Sequence, residues 1–335
     1  MVTCSMSLNK SINTSNLLKL MTMLFFLCYI PMFFCVQCTA QEKTKPSAKS
    51  QLIYKTLQIA SLNERIFEKM LDDPPRGKAA LSAKKLHTSL QVKEQWIRGC
   101  NILTIAASPS AQKHIFFLHG GAYVAEATSG HRKLIEMLVR DYGYRVTFIN
   151  YPLAPDHDIL HSLEVLEEAY RLVVSQYEED LFCLMGDSAG GGLALALLQR
   201  LRDKDVAARP EKTVLFSPWL DAGMANPGID TLVDKDVLLH QEGLIACGKL
   251  YAGGLESNDP RLSPIYGNLD NLAGIKVFVS THELFYPDCI LLTEKAAAAR
   301  NTHVDLSVKE RMVHDWVILP VAERDEALKE VAFFF

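Results

Sequence analysis

The segment Gly186-Asp187-Ser188-Ala189-Gly190 joins an apolar run, Leu181-Phe182-Cys183-Leu184-Met185, to a helix-like run at residues 191–202. A serine at the tip of so sharp a strand-to-helix turn stands clear of its neighbours, and glycines at 186 and 190 let the chain double back without a side-chain clash. The order strand, turn, helix demands an α/β architecture and makes Ser188 a candidate nucleophile. A five-residue pattern of this kind also arises by chance, so its flanking strand and helix carry the argument.

The flanking chain agrees. Strand-like runs at residues 102–106, 115–118, 145–150, 213–216, 275–280 and 303–308 alternate with helix-like runs at 131–140, 159–174 and 242–251. Leu163, Leu166, Tyr170 and Val173 recur at helical spacing and are expected to face the core. This alternation predicts a mainly parallel central sheet with helices on both faces. Upstream, a helix is expected over residues 52–71, ending before Asp72-Asp73-Pro74-Pro75, because the proline pair cannot continue it.

His119-Gly120-Gly121-Ala122-Tyr123 follows the apolar run 115–118. The bare N–H groups of Gly120 and Gly121 can approach a developing oxyanion, and the N–H of Ala189 would complete the hole. The plain alternative is a Gly-Gly turn between strand and helix. Late in the chain, His314 in Met312-Val313-His314-Asp315-Trp316 follows the last strand-like run and is the expected general base. Glu283 is the carboxylate nearest the end of run 275–280, with Asp288 five residues further on. Glu283 is the expected acid, holding the His314 tautomer and stabilising the imidazolium, and Asp288 is the alternative. His131, His157, His161, His240 and His303 have no partner motif and read as packing or surface residues. Asp187 reads as an anchor for the elbow.

These motifs, with Tyr151-Pro152-Leu153-Ala154-Pro155-Asp156-His157, Ser217-Pro218-Trp219-Leu220-Asp221 and an aromatic at Trp316, resemble the hormone-sensitive-lipase-like esterases of the α/β-hydrolase superfamily from about residue 115 to the C-terminus. The resemblance implies an α/β-hydrolase fold with a helical cap. It assigns residues 41–100 to an N-terminal cap or linker and residues 101–335 to the catalytic domain, with a cap insertion at about 222–256. The family usually carries arginine where this chain has Pro152, glutamate where it has Asp156, and aspartate as the acid. The implied activity is that of a serine carboxylesterase acting on a small-molecule ester of short to medium acyl chain, with no cofactor and no metal. An amidase, formamidase or deacetylase on the same residues is an alternative, as is a ligand-binding protein that has lost catalysis.

Composition sets outer limits. The formal charge is −4, and the first 40 residues hold Lys10 and Lys19 with no acid, so the remainder is mildly acidic and unsuited to nucleic acid. Residues 20–36 are nearly all apolar, and Cys38-Thr39-Ala40 supplies small residues before a cleavage point. Residues 1–40 therefore read as a signal peptide, with a membrane anchor as the alternative, and predict an exported or membrane-anchored protein. Four of the eight cysteines lie in that segment, and Cys183, inside a strand, reads as a small buried hydrophobe.

Overall fold

The computed structural model describes residues 45–76 and 81–335. The signal-peptide or anchor reading of residues 1–40 lies outside the described residues. Among the described residues, no helix is long and apolar enough to cross a membrane.

Eight strands form one sheet: β1 (Gln91–Ile97), β2 (Cys100–Ala106), β3 (Lys113–Leu118), β4 (Arg145–Ile149), β5 (Leu181–Asp187), β6 (Lys212–Phe216), β7 (Ala273–Ser280) and β8 (Thr302–Lys309). Their spatial order is β1-β2-β4-β3-β5-β6-β7-β8. β1 with β2 and β2 with β4 are antiparallel, and every other pair is parallel. β1 extends the sheet to residues that the sequence reading placed in a cap or linker. Its weak signal has a physical cause: it is an edge strand with mostly exposed side chains, so no apolar alternation marks it.

Side-chain alternation in the central strands builds two cores. Phe116, Leu118, Phe182 and Leu184 point to one face, and Ile115, Phe117, Cys183 and Met185 to the other. Helices α4 (Ile159–Gln176), α5 (Ser188–Asp203) and α7 (Tyr286–Ala297) cover the first face. The second is covered by α3 (Ser129–Arg140) and α8 (Ala322–Phe334). Each large apolar side chain withdrawn from water in these layers contributes about 1.5–3 kcal/mol.

The expected helix over residues 52–71 is two helices, α1 (Ala48–Ala60) and α2 (Asn63–Asp72). Ser61 breaks them apart in a left-handed conformation at φ 45°, a local backbone choice that apolar periodicity does not reveal. Both helices meet the segment between β6 and β7, which contains α6 (Gln241–Tyr251). Tyr54 donates to the Lys235 carbonyl at 2.8 Å, and Asn63 Nδ2 to the Leu239 carbonyl at 3.1 Å. Gly243 lets α6 settle on Phe67, since a Cβ there would stand 2.5 Å from the Phe67 Cβ.

Candidate active site

The parallel strands all point their C-terminal ends one way, and the loops leaving β3, β5, β7 and β8 gather residues from across the sheet. Ser188, directly after β5, has φ 50°, the left-handed conformation of a sharp elbow, which costs a non-glycine residue about 1–3 kcal/mol. Its neighbours explain why the turn is possible. A Cβ on Gly186 would lie 2.3 Å from the Gly190 carbonyl oxygen, and one on Gly190 would lie 2.2 Å from that of Leu118. The turn is therefore wedged against the end of β3 by backbone alone.

His314 Nε2 is 2.8 Å from Ser188 Oγ, and His314 Nδ1 is 2.8 Å from Glu283 Oε2. The structure thus brings together all three residues expected to act as nucleophile, base and acid. Glu283 is fully buried, and its Oε1 accepts from Ser217 Oγ at 2.9 Å and from the Ser280 N–H at 2.8 Å. Burial raises the Glu283 carboxyl above its usual range, against the opposing pull of His314. For His314, burial lowers the pKa, but the charges of Asp315 and Glu283 outweigh it and raise the imidazole to about 9.

Asp288 is not part of this relay. Its Oδ1 accepts from Asn226 Nδ2 at 2.9 Å, and burial raises its carboxyl to about 6. It lines a cavity of about 790 Å³ whose walls include Pro227, Tyr266 and Tyr286 but neither Ser188 nor His314. His282 turns away as well, its ring set edge-on to Tyr54 at 5.7 Å.

The oxyanion assignment needs a correction at Gly120. Its N–H donates to Asp187 Oδ2 at 2.9 Å and so does not face a substrate. The cause is the tight approach of the two loops, since a Cβ at Gly120 would stand 2.4 Å from Asp187 Oδ2 and 2.9 Å from Ser188 Cβ. Gly121 and Ala122 follow with φ 124° and 53°, and among the described residues neither N–H has a hydrogen-bond partner. Ala189 follows Ser188 in the first turn of α5.

His131 is the residue that sequence reasoning missed. The Thr128 N–H donates to His131 Nδ1 at 2.9 Å, so that nitrogen holds a lone pair and Nε2 carries the proton. Nε2 then donates to Asp187 Oδ2 at 2.9 Å. The only signal in the chain was Thr128 three residues ahead of His131, a spacing suited to a reciprocal helix cap. Asp187, expected to anchor the elbow, does so with acceptors turned to α3 and to the loop after β3.

Aromatic rings close the site from behind. The Trp219 backbone N–H donates to the Ser188 carbonyl at 2.9 Å, its indole N–H to the Asp221 carbonyl at 2.8 Å, and its ring stacks on Tyr123 at 5.1 Å and on Phe285 at 6.0 Å. Phe285 meets the His314 ring edge-on at 5.2 Å. In the loop at residues 151–157, where the resembling family places arginine and glutamate, Arg76 from the N-terminal segment donates to the carbonyls of Val124 and Ala154 and lies 3.8 Å from Asp156.

Residues 115–318 match the family of α/β-hydrolase fold. An esterase of Acinetobacter venetianus is 32% identical over 213 residues, 63% of this chain and 70% of its own length. An ethyl acetate hydrolase of Pseudomonas putida is 27% identical over 64% of this chain and 70% of its own. The crystal structure of an esterase from the bacterial hormone-sensitive lipase family superposes with a TM-score of 0.71 at 28% identity, covering 87% of this chain and 98% of that one. With a matching family over more than half its length and esterases among its relatives in sequence and structure, the chain belongs to the α/β-hydrolase family, in its hormone-sensitive-lipase-like branch, and is a carboxylic ester hydrolase.

Proposed function

We propose that this enzyme hydrolyses short- to medium-chain acyl esters through an acyl-enzyme formed on Ser188. The observation that carries the reading is the unbroken relay from Ser188 Oγ through His314 to Glu283, with 2.8 Å at each step. In it, Ser188 Oγ attacks the ester carbonyl while His314 Nε2 takes its proton, and Glu283 stabilises the imidazolium that results. His314 then gives the proton to the departing alcohol. Water, deprotonated by the same nitrogen, attacks the acyl-serine and releases the acid. The N–H groups of Gly121 and Ala189 serve the oxyanion, with Ala122 taking the place first given to Gly120.

The preference for short acyl groups is supported by the bulk around the serine. Trp219, Tyr123 and Phe285 are fully buried there, and the contacts of α1 and α2 with residues 235–243 supply the material of a cap. A bounded apolar space gains nothing from carbons it cannot enclose. The apolar residues 20–36 support an exported or membrane-anchored enzyme.

The test is a series of p-nitrophenyl esters from acetyl to lauroyl, run on the purified enzyme beside Ser188→Ala. kcat/KM is expected to peak between acetyl and hexanoyl, and Ser188→Ala is expected to lose both turnover and labelling by a fluorophosphonate. Rates that climb steadily to lauroyl would remove the bounded pocket, and labelling retained in the variant would move the nucleophile elsewhere.

A further inference from the structure

Behind the relay lies a pair of acids that the mechanism above does not use. Asp187 is completely buried. Its Oδ2 accepts two N–H groups, from Gly120 and from His131 Nε2, while its Oδ1 is buried with no partner among the described residues. Asp315, on the loop that carries His314, is in the same condition: its Oδ1 is buried and unpartnered, and its Oδ2 lies 3.4 Å from His314 Nε2. The two carboxyl groups are neighbours across the relay: Asp187 directly precedes Ser188, whose Oγ meets the same His314 nitrogen that Asp315 approaches, and the two acids act on one another.

Two carboxylates, which can only accept, do not satisfy one another, and two adjacent negative charges in a buried site repel strongly. A single proton between them resolves both problems. Asp187 already has two donors fixed on its other oxygen, which favours its charged form, so the proton belongs on Asp315. We infer that Asp315 is a positioning residue that stays protonated and donates a hydrogen bond to Asp187, fastening the histidine loop to the nucleophile elbow. The inference rests on the proposed roles of Ser188 and His314.

The surrounding groups agree. Those facing Asp315 are His314, Asp187 and Glu283, and beyond Asp187 stand His131 and His119. Burial foremost, then the charges of Asp187 and Glu283, push the Asp315 carboxyl well upward, whereas the imidazole of His314 opposes the shift. Asp187 is moved the other way: burial raises it, but His131 and His119 with the Gly120 N–H bring it below the usual carboxylate range. The arrangement also suits His314 as a base. A charged Asp315 would hold the imidazole in its protonated form, which cannot take the serine proton, and a neutral one relaxes that hold.

The sign of the pH effect follows. A carboxyl kept neutral in the folded state binds a proton that the unfolded chain has released above about pH 4, so its contribution to stability falls as pH rises toward its folded pKa. Asp315→Asn replaces the O–H donor with an N–H donor that does not titrate. Asp315→Leu keeps the bulk and removes the donor.

The experiment compares these two variants with the native protein in the full chain. Asp315→Asn is expected to keep kcat/KM at pH 7 within about threefold, and Asp315→Leu to lose about tenfold or more by leaving Asp187 Oδ1 without a donor. Thermal unfolding from pH 5 to 10, measured on each Asp315 side chain in a Ser188→Ala background, supplies a readout independent of turnover. The decline of Tm with pH should be shallower with asparagine than with aspartate. Equal damage from Asn and Leu, or identical Tm profiles for Asp and Asn, would overturn the role given to Asp315. If the Tm profiles behave as expected while Ser188→Ala keeps esterase activity, the carboxyl pair stands and the nucleophile assignment falls.

Discussion

The loops after β3 and β5 meet through glycines that leave no room for a side chain, whereas the loops after β7 and β8 are held by buried side-chain hydrogen bonds. On the first side, Gly190 meets the end of β3 with no room for a methyl group, and Gly120 does the same against Asp187 and Ser188. On the second, Glu283 is gripped by Ser217 and Ser280, and Ser280 Oγ both donates to the Met312 carbonyl and accepts from the Met312 N–H, each at 2.9 Å. The nucleophile is therefore placed by local shape and the base by a network spread over distant residues. The first kind of placement tolerates no added atom; the second tolerates changes that keep the hydrogen bonds.

Three substitution and pH experiments probe that contrast. Gly190→Ala carries the largest effect, because its Cβ would stand 2.2 Å from the Leu118 oxygen and 2.5 Å from that of His119, both fixed backbone atoms. The fold is expected to lose about 3 kcal/mol or more by denaturant unfolding, as backbone strain and overpacking combine, and activity with it. A stable, active Gly190→Ala enzyme would show that the elbow has slack.

Glu283→Gln comes next and acts on chemistry rather than folding. It keeps the shape of the side chain but not its charge, so Tm should change little while kcat falls by about 10³ to 10⁴. Asp288→Asn, outside the relay, should stay within about threefold of the native rate. The reverse ranking would hand the acid role to Asp288.

The smallest effect is a displacement of the pH profile. His314 must be neutral to accept the serine proton, so kcat/KM should rise with pH through the pKa of the free enzyme. Burial pulls that pKa down, but Asp315 and Glu283 raise it, to about 9 with Asp315 charged. With Asp315 neutral, the upward pull is weaker and the limb should lie below that figure. Glu283→Gln should bring it down toward lower pH. A native limb below pH 6 would show that burial, not the carboxylates, governs the imidazole.

The same contrast explains what could be read from the chain. Ser188 was legible because its placement is local: a strand, two glycines and a helix sit within a few residues of it. Glu283 and His314 were legible through their order after the last two strands, which the parallel topology fixes. The partnership of Asp187 with His131 was not, because it joins residues 56 positions apart through a histidine whose own sequence neighbourhood shows only a helix cap. Gly120 was misjudged for a related reason. A glycine that bares its N–H to a substrate and one that bares it to a neighbouring carboxylate look alike in sequence. β1 escaped notice because an exposed edge strand has no apolar rhythm, and the break at Ser61 because one left-handed residue leaves the flanking helical pattern intact.

The position of β8 has a consequence for the timing of biosynthesis. Among the described residues it is the last of the eight strands in sequence order and the outermost at its edge of the sheet, paired with β7 alone, and His314 follows it by five residues. Chains emerge from the ribosome N-terminus first. A nascent chain would thus have made Ser188, its elbow and the loop after β3 more than a hundred residues before it possessed a base. Until β8 docks, that serine is no more reactive than any other hydroxyl, so activity waits on a base made long after the nucleophile.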